Sequence, residues 1–68
     1  MRIVLNGTVS ELPLSATVEA AIEATGTASR TGLAVAVDGE IVPRGEWSHT
    51  KLSDGQRVEV LQAVQGGA

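Results

Sequence analysis

The sequence predicts a two-layer α+β domain, with one main helix laid across one face of a mixed sheet of four to five strands. Three observations carry this reading. The two-residue turn signals Asn6-Gly7 and Asp38-Gly39 each join two stretches that read as strands, and so mark two hairpins. Between the hairpins, Val18, Ala21, Ile22 and Thr25 recur at helical spacing. A last alternating stretch begins at Val58, with Val58 and Val60 on one face and Glu59 and Leu61 on the other.

Taken in order, Arg2 to Asn6 alternates, with Met1, Ile3 and Leu5 on one face and Arg2, Val4 and Asn6 on the other. Thr8 to Leu12 returns as the second strand, with Val9 its clearest apolar member, and Pro13 limits its pairing. Ser15 and Thr17 are both candidate helix N-caps, because a hydroxyl there can accept from an orphan amide two or three residues on. Glu19 lies in the first turn of the helix, where the dipole favours a carboxylate, and Gly26 is a natural stop. Glu19 and Glu23 are one turn apart, but two glutamates on an exposed helix face are far more often solvated than catalytic.

Thr27 to Gly32 is a polar loop. Leu33 to Val37 is the clearest strand, turned back by Asp38-Gly39 into Glu40-Ile41-Val42 and ended by Pro43. An irregular stretch follows, in which Trp47 is expected to cover one end of the core. Ser53-Asp54-Gly55 turns the chain into the final strand, Val58 to Val64. Ile3, Leu5, Val18, Ile22, Val35, Val37, Val58 and Val60 are the expected core. Two N-terminal strands in a hairpin, one helix, and a last strand inserted beside the first make the ubiquitin-like β-grasp arrangement. Residues 1–64 are expected to form the domain, and residues 65–68 a flexible tail.

Composition narrows the function. The 68 residues make one small domain with no cysteine, hence no disulfide, thiolate nucleophile or cysteine-ligated metal. The N-terminus meets polar Asn6 too soon for a signal peptide and no apolar run would span a bilayer, so a cytoplasmic location is expected. A net charge of −3, five scattered basic residues and Trp47 as the sole aromatic argue against nucleic acid. His49 stands alone, so no metal site is expected. No triad, carboxylate pair or phosphate-binding loop can be assembled, and no catalytic residue is assigned.

Gly66 and Gly67 are the glycines without a turn or cap to explain them. A diglycine tail leaving the last strand suits activation of a terminal carboxylate. That group is a poor electrophile until converted to an acyl-adenylate, and glycine passes a narrow channel because it carries no Cβ. An ordinary frayed terminus is the competing explanation.

The stretches LAVAVDGEIVPRGEW over Leu33–Trp47 and DGQRVEVLQAVQGG over Asp54–Gly67 resemble the small sulfur carriers of thiamine thiazole biosynthesis. The likeness extends over essentially the whole chain, and the segment from Ile41 to Trp47 separates it from ubiquitin. The resemblance implies that Gly67 is the site of adenylation and thiocarboxylate formation and that Gln65-Gly66 is the flexible arm. It implies no bound cofactor, ATP being used by a ubiquitin-activating-like adenylyltransferase, and thiazole synthase as the acceptor of sulfur. The chain is then a carrier and co-substrate rather than an enzyme.

Family members end at the second glycine, whereas this chain continues to Ala68. Either a peptidase removes Ala68, or the carrier is a variant, or the residue is not native to the chain. Leu61, Ala63, Ala34, Ala36 and Val4 fall on the sheet face turned away from the helix. They are the expected partner-binding surface, similar to the hydrophobic patch through which ubiquitin is recognised. The alternatives are a carrier for molybdopterin, cysteine or another sulfur metabolite, a ubiquitin-like protein modifier, and an inert β-grasp binding module.

Overall fold

A computed structural model describes residues 1–27 and 31–62. Its strands are β1 (Arg2–Leu5), β2 (Thr8–Glu11), β3 (Leu33–Val37), β4 (Glu40–Ile41) and β5 (Arg57–Gln62), with one helix, α1 (Val18–Ala24), and a 3₁₀ turn at Arg44–Glu46. The sheet order is β2-β1-β5-β3-β4. β5 runs parallel to β1 and antiparallel to β3, so the last strand lies at the centre. This is the mixed sheet with one helix expected from the element order.

Turn chemistry sets both hairpin registers. Asn6 and Gly7 take φ of 50° and 82°, and Asp38 and Gly39 take 49° and 86°, the left-handed pair a tight two-residue hairpin requires. The first turn pairs Leu5 with Thr8 and Val4 with Val9. The second pairs Val37 with Glu40 and Ala36 with Ile41. β4 is one residue shorter than expected, because Pro43 follows Val42. The Val42 amide still donates to the Val35 carbonyl at 2.8 Å.

All eight expected core residues are buried, and Ala21, Trp47 and Leu52 complete the cluster. Trp47 closes one end as expected. It is 4% exposed, and its indole N–H donates to the Val42 carbonyl at 2.9 Å. β2 adds nothing to the core: its inward positions, Thr8 and Ser10, are polar, and Val9 lies on the opposite face.

The expected side-chain cap on the helix is not made. Thr17 occupies the N-cap position with extended backbone, but its hydroxyl makes no capping bond. The amide of Val18 donates instead to the Thr50 carbonyl at 2.9 Å, and that of Glu19 to the Trp47 carbonyl at 3.1 Å. Backbone carbonyls from the segment before β5 thus satisfy the donors a hydroxyl would have taken. Ser15 is a turn residue with φ of 70° and not a cap.

Where a strand runs out of neighbours, short polar side chains extend the ladder. Asp54 Oδ1 accepts from the Arg2 amide at 2.7 Å and Asp38 Oδ1 from the Arg57 amide at 2.9 Å. At the other end of the sheet, Asn6 Oδ1 accepts from the Val60 amide at 2.8 Å.

Candidate functional site

The site is built on β5 and the face of the sheet that α1 leaves bare. Residues paired across strands share a face, so the register fixes that face without reference to any ligand. Leu61 pairs with Ala34, and Ala36 pairs with both Glu59 and Ile41. Val4 pairs with Val9 and with Arg57. Leu61, Ala34, Ala36 and Val4 therefore do share the outer face. Ala63, Gln65, Gly66 and Gly67, the remaining expected site residues, lie outside the described residues, as does Ala68.

The face carries more apolar surface than the sequence reading assigned to it. Ile41 is 72% exposed, Leu61 67% and Val9 64%. Ile41 and Val9 were not expected there, although the signal existed. A two-residue turn at Asp38-Gly39 puts Ile41 across from Ala36, and one at Asn6-Gly7 puts Val9 across from Val4. Ala36 and Ala34 stand low between Ile41 and Leu61, so β3 forms the floor of a shallow trough with a branched side chain at either end. Arg2 and Glu11 form an ion pair at 3.3 Å on the same face, and Arg57 and Glu59 carry opposite charges beside it. The charges cancel formally. Leu61, Ala34, Ala36 and Ile41 make an apolar run across β5, β3 and β4, which Arg57 and Glu59 separate from Val4 and Val9, and such a run is what a docking partner would cover.

Nothing described offers chemistry of its own. Among the described residues no group of three His, Cys, Asp or Glu side chains could hold a metal ion. His49 Nδ1 lies 3.3 Å from the Ser48 hydroxyl, both exposed, with no carboxylate completing a relay. A surface depression of about 530 Å³ around Glu40, Ile41, Pro43 and Glu46 lies by the β3–β4 turn, at the end of the sheet away from the tail. Among the described residues no helix is long and apolar enough to cross a membrane.

A family model described as the ThiS family matches residues 3–67, which is nearly the whole chain and takes in both glycines of the tail. The chain belongs to the ThiS family. The resemblance carried by Leu33–Trp47 and Asp54–Gly67 is thereby borne out. The match stops at Gly67 and leaves Ala68 beyond it. The fold agrees as well: the crystal structure of a thiamine biosynthesis protein, ThiS, from Geobacter metallireducens superposes with a TM-score of 0.80 at 29% identity, covering 98% of this chain and all of that one. The ubiquitin-like β-grasp assignment stands on that likeness together with the sheet order. The chain is also 34% identical, over all 68 residues, to a protein of Paramagnetospirillum magneticum named thiazole synthase. It spans about a fifth (21%) of that relative's length.

Proposed function

We propose that this protein is the sulfur carrier for thiazole formation in thiamine biosynthesis, and that Gly67 is its reactive residue. The observation that carries the reading is the ThiS family match, which runs through the core strands and on through Gly66 and Gly67. The chemistry follows from what a carboxylate can do. The Gly67 carboxylate attacks the α-phosphorus of ATP and expels pyrophosphate, giving an acyl-adenylate on an activating adenylyltransferase. A sulfur nucleophile then attacks the acyl carbon and AMP leaves. Where that sulfur is the outer atom of a donor persulfide, a second thiol attacks the donor's inner sulfur, forming a disulfide with it and leaving the thiocarboxylate on Gly67. The thiocarboxylate gives its sulfur to the thiazole being assembled on thiazole synthase. The likeness to a thiazole synthase supports that acceptor over a molybdopterin or cysteine pathway.

In this reading the folded domain is a co-substrate. The trough bounded by Ile41 and Leu61 is the surface that the activating enzyme and the synthase grip in turn, and Gln65-Gly66 is the arm that reaches each active site. On this reading a carboxylate anywhere beyond Gly67 is too far along for the chemistry, and a peptidase that exposes Gly67 is the remaining partner. The test uses the chain ending at Gly67, incubated with the activating enzyme, ATP and a sulfur donor, and read by intact mass. Exchange of one oxygen for sulfur, followed by its loss to thiazole synthase, is the expected result. A chain that takes up no sulfur with an enzyme active on another carrier overturns the reading.

A further inference from the structure

We propose that Asn6 is a positioning residue of the carrier reaction, fixing the root of the tail through its bond to Val60; the inference rests on the carrier reading. β1 and β5 run side by side only briefly. Val4 pairs with Arg57 and Leu5 with Val58, and the Asn6 amide donates to the Val58 carbonyl at 2.9 Å. The chain then reverses through Asn6 and Gly7, while β5 continues to Gln62. The next β5 amide facing the vacated lane is that of Val60, a residue in the buried core. The Asn6 side chain supplies the missing acceptor, with Oδ1 2.8 Å from the Val60 nitrogen, joining residues 54 apart in sequence.

Few residues can do this. The position has φ of 50°, which glycine, asparagine and aspartate tolerate and most side chains do not. Glycine has no acceptor. Asparagine and aspartate supply both the angle and an oxygen at the right reach. Asn6 is thus a turn residue and a substitute for one residue of strand at once. The asparagine-glycine turn signal alone explains only the first of these roles.

The bond lies where it can steer the tail. Val60 is held on its other flank by the antiparallel pairing of β5 with β3, so Asn6 completes a two-sided clamp two residues before the end of the described strand. Gly67 is seven residues beyond Val60, about 23–25 Å of fully extended chain. Freedom gained at Val60 adds to that of the arm, so Gly67 samples a larger volume around the docked domain. The activating enzyme must hold the apolar trough and the glycine carboxylate together, so a loosened root lowers the fraction of docked chains whose end reaches ATP.

The experiment compares wild type, Asn6→Gly and Asn6→Asp, all ending at Gly67. Asn6→Gly keeps the turn and removes the acceptor, whereas Asn6→Asp restores it. Two readouts are taken: exchange of the Val60 amide relative to that of Val58, by NMR, and the KM and kcat for thiocarboxylation. In Asn6→Gly the Val60 amide is expected to exchange about tenfold faster relative to Val58, the effect of one lost hydrogen bond. The kcat should fall by up to the same factor with KM held within about twofold, and Asn6→Asp should recover both the exchange rate and kcat. Unchanged relative exchange in Asn6→Gly overturns the clamp. Faster exchange with wild-type kinetics overturns the positioning role, as does an Asn6→Asp chain no better than Asn6→Gly. If the wild-type chain itself takes up no sulfur, the carrier reading fails, and the exchange comparison still decides the clamp because it needs no enzyme.

Discussion

Leu61 stands directly across from Ala34 on the sheet face that the helix does not cover. A methyl group is too short to shield an isobutyl one, so Leu61 is left two-thirds exposed one strand position from the end of β5. Leu61→Arg should therefore change stability by no more than about 0.5 kcal/mol, the usual range for an exposed site. It should weaken binding to the activating enzyme by about tenfold or more, since a guanidinium would have to be desolvated in an apolar contact. Calorimetric titration alongside a denaturant melt separates the two effects. Wild-type affinity would move the docking surface to another face.

Val60, on the adjacent inward position, behaves oppositely. It is part of the core cluster with Ile3, Val35 and Val58. Val60→Ala removes two carbon atoms from a packed interior and leaves a cavity behind. The expected cost is about 1–3 kcal/mol, a large share of the stability of so small a domain. The urea midpoint reads it directly, and an unshifted midpoint would contradict the packing described.

Trp47 contributes through its indole nitrogen as well as its bulk. Trp47→Phe removes the donor that meets the Val42 carbonyl and leaves that oxygen without its indole partner. A loss of about 1–2 kcal/mol is expected from the bond together with the lost volume. Because Trp47 is the sole tryptophan, the variant must be followed by circular dichroism rather than fluorescence. Stability equal to wild type would show that water replaces the indole at no cost.

The residue after Gly67 gives the sharpest comparison. One residue of extended chain is about 3.3–3.6 Å, well beyond the tolerance of a positioned nucleophilic step. The chain ending at Gly67 should acquire sulfur, and the chain ending at Ala68 should not until a peptidase has acted. Weighing both after incubation with the activating enzyme, ATP and a sulfur donor settles the matter. Equal sulfur uptake at Ala68 would remove the need for trimming.

Most of the fold is legible in the sequence, because local signals and the final pairing agree. Asn6-Gly7 and Asp38-Gly39 fix two registers before any tertiary contact is known. Alternation then sorts inward valines from outward alanines. Thr17 is the N-cap as its position suggests, but the hydroxyl bond expected of it is not made, because the amides of Val18 and Glu19 are met by carbonyls some thirty residues away, which leave no local trace. Leu52 is buried from a segment with no apolar period to announce it. On the outer face Leu61, Ala34, Ala36 and Val4 follow from alternation alone, whereas Ile41 and Val9 require combining alternation with turn length. The Asn6–Val60 bond joins opposite ends of the chain, and a pairing across 54 residues has no signature in either stretch.

The central place of β5 also bears on how the protein is made. β1 and β3 do not touch each other in the sheet; each meets the other only through β5. The two hairpins therefore have no strand to join them into one sheet until residues 57–62 are available, and pairing of such distant segments is slow. Prematurely terminated products lacking β5 cannot bury Ile3 or Val35 and remain open to proteolysis. The sheet thus closes only once residues 57–62, which lead directly into the tail that the partners need, have been made.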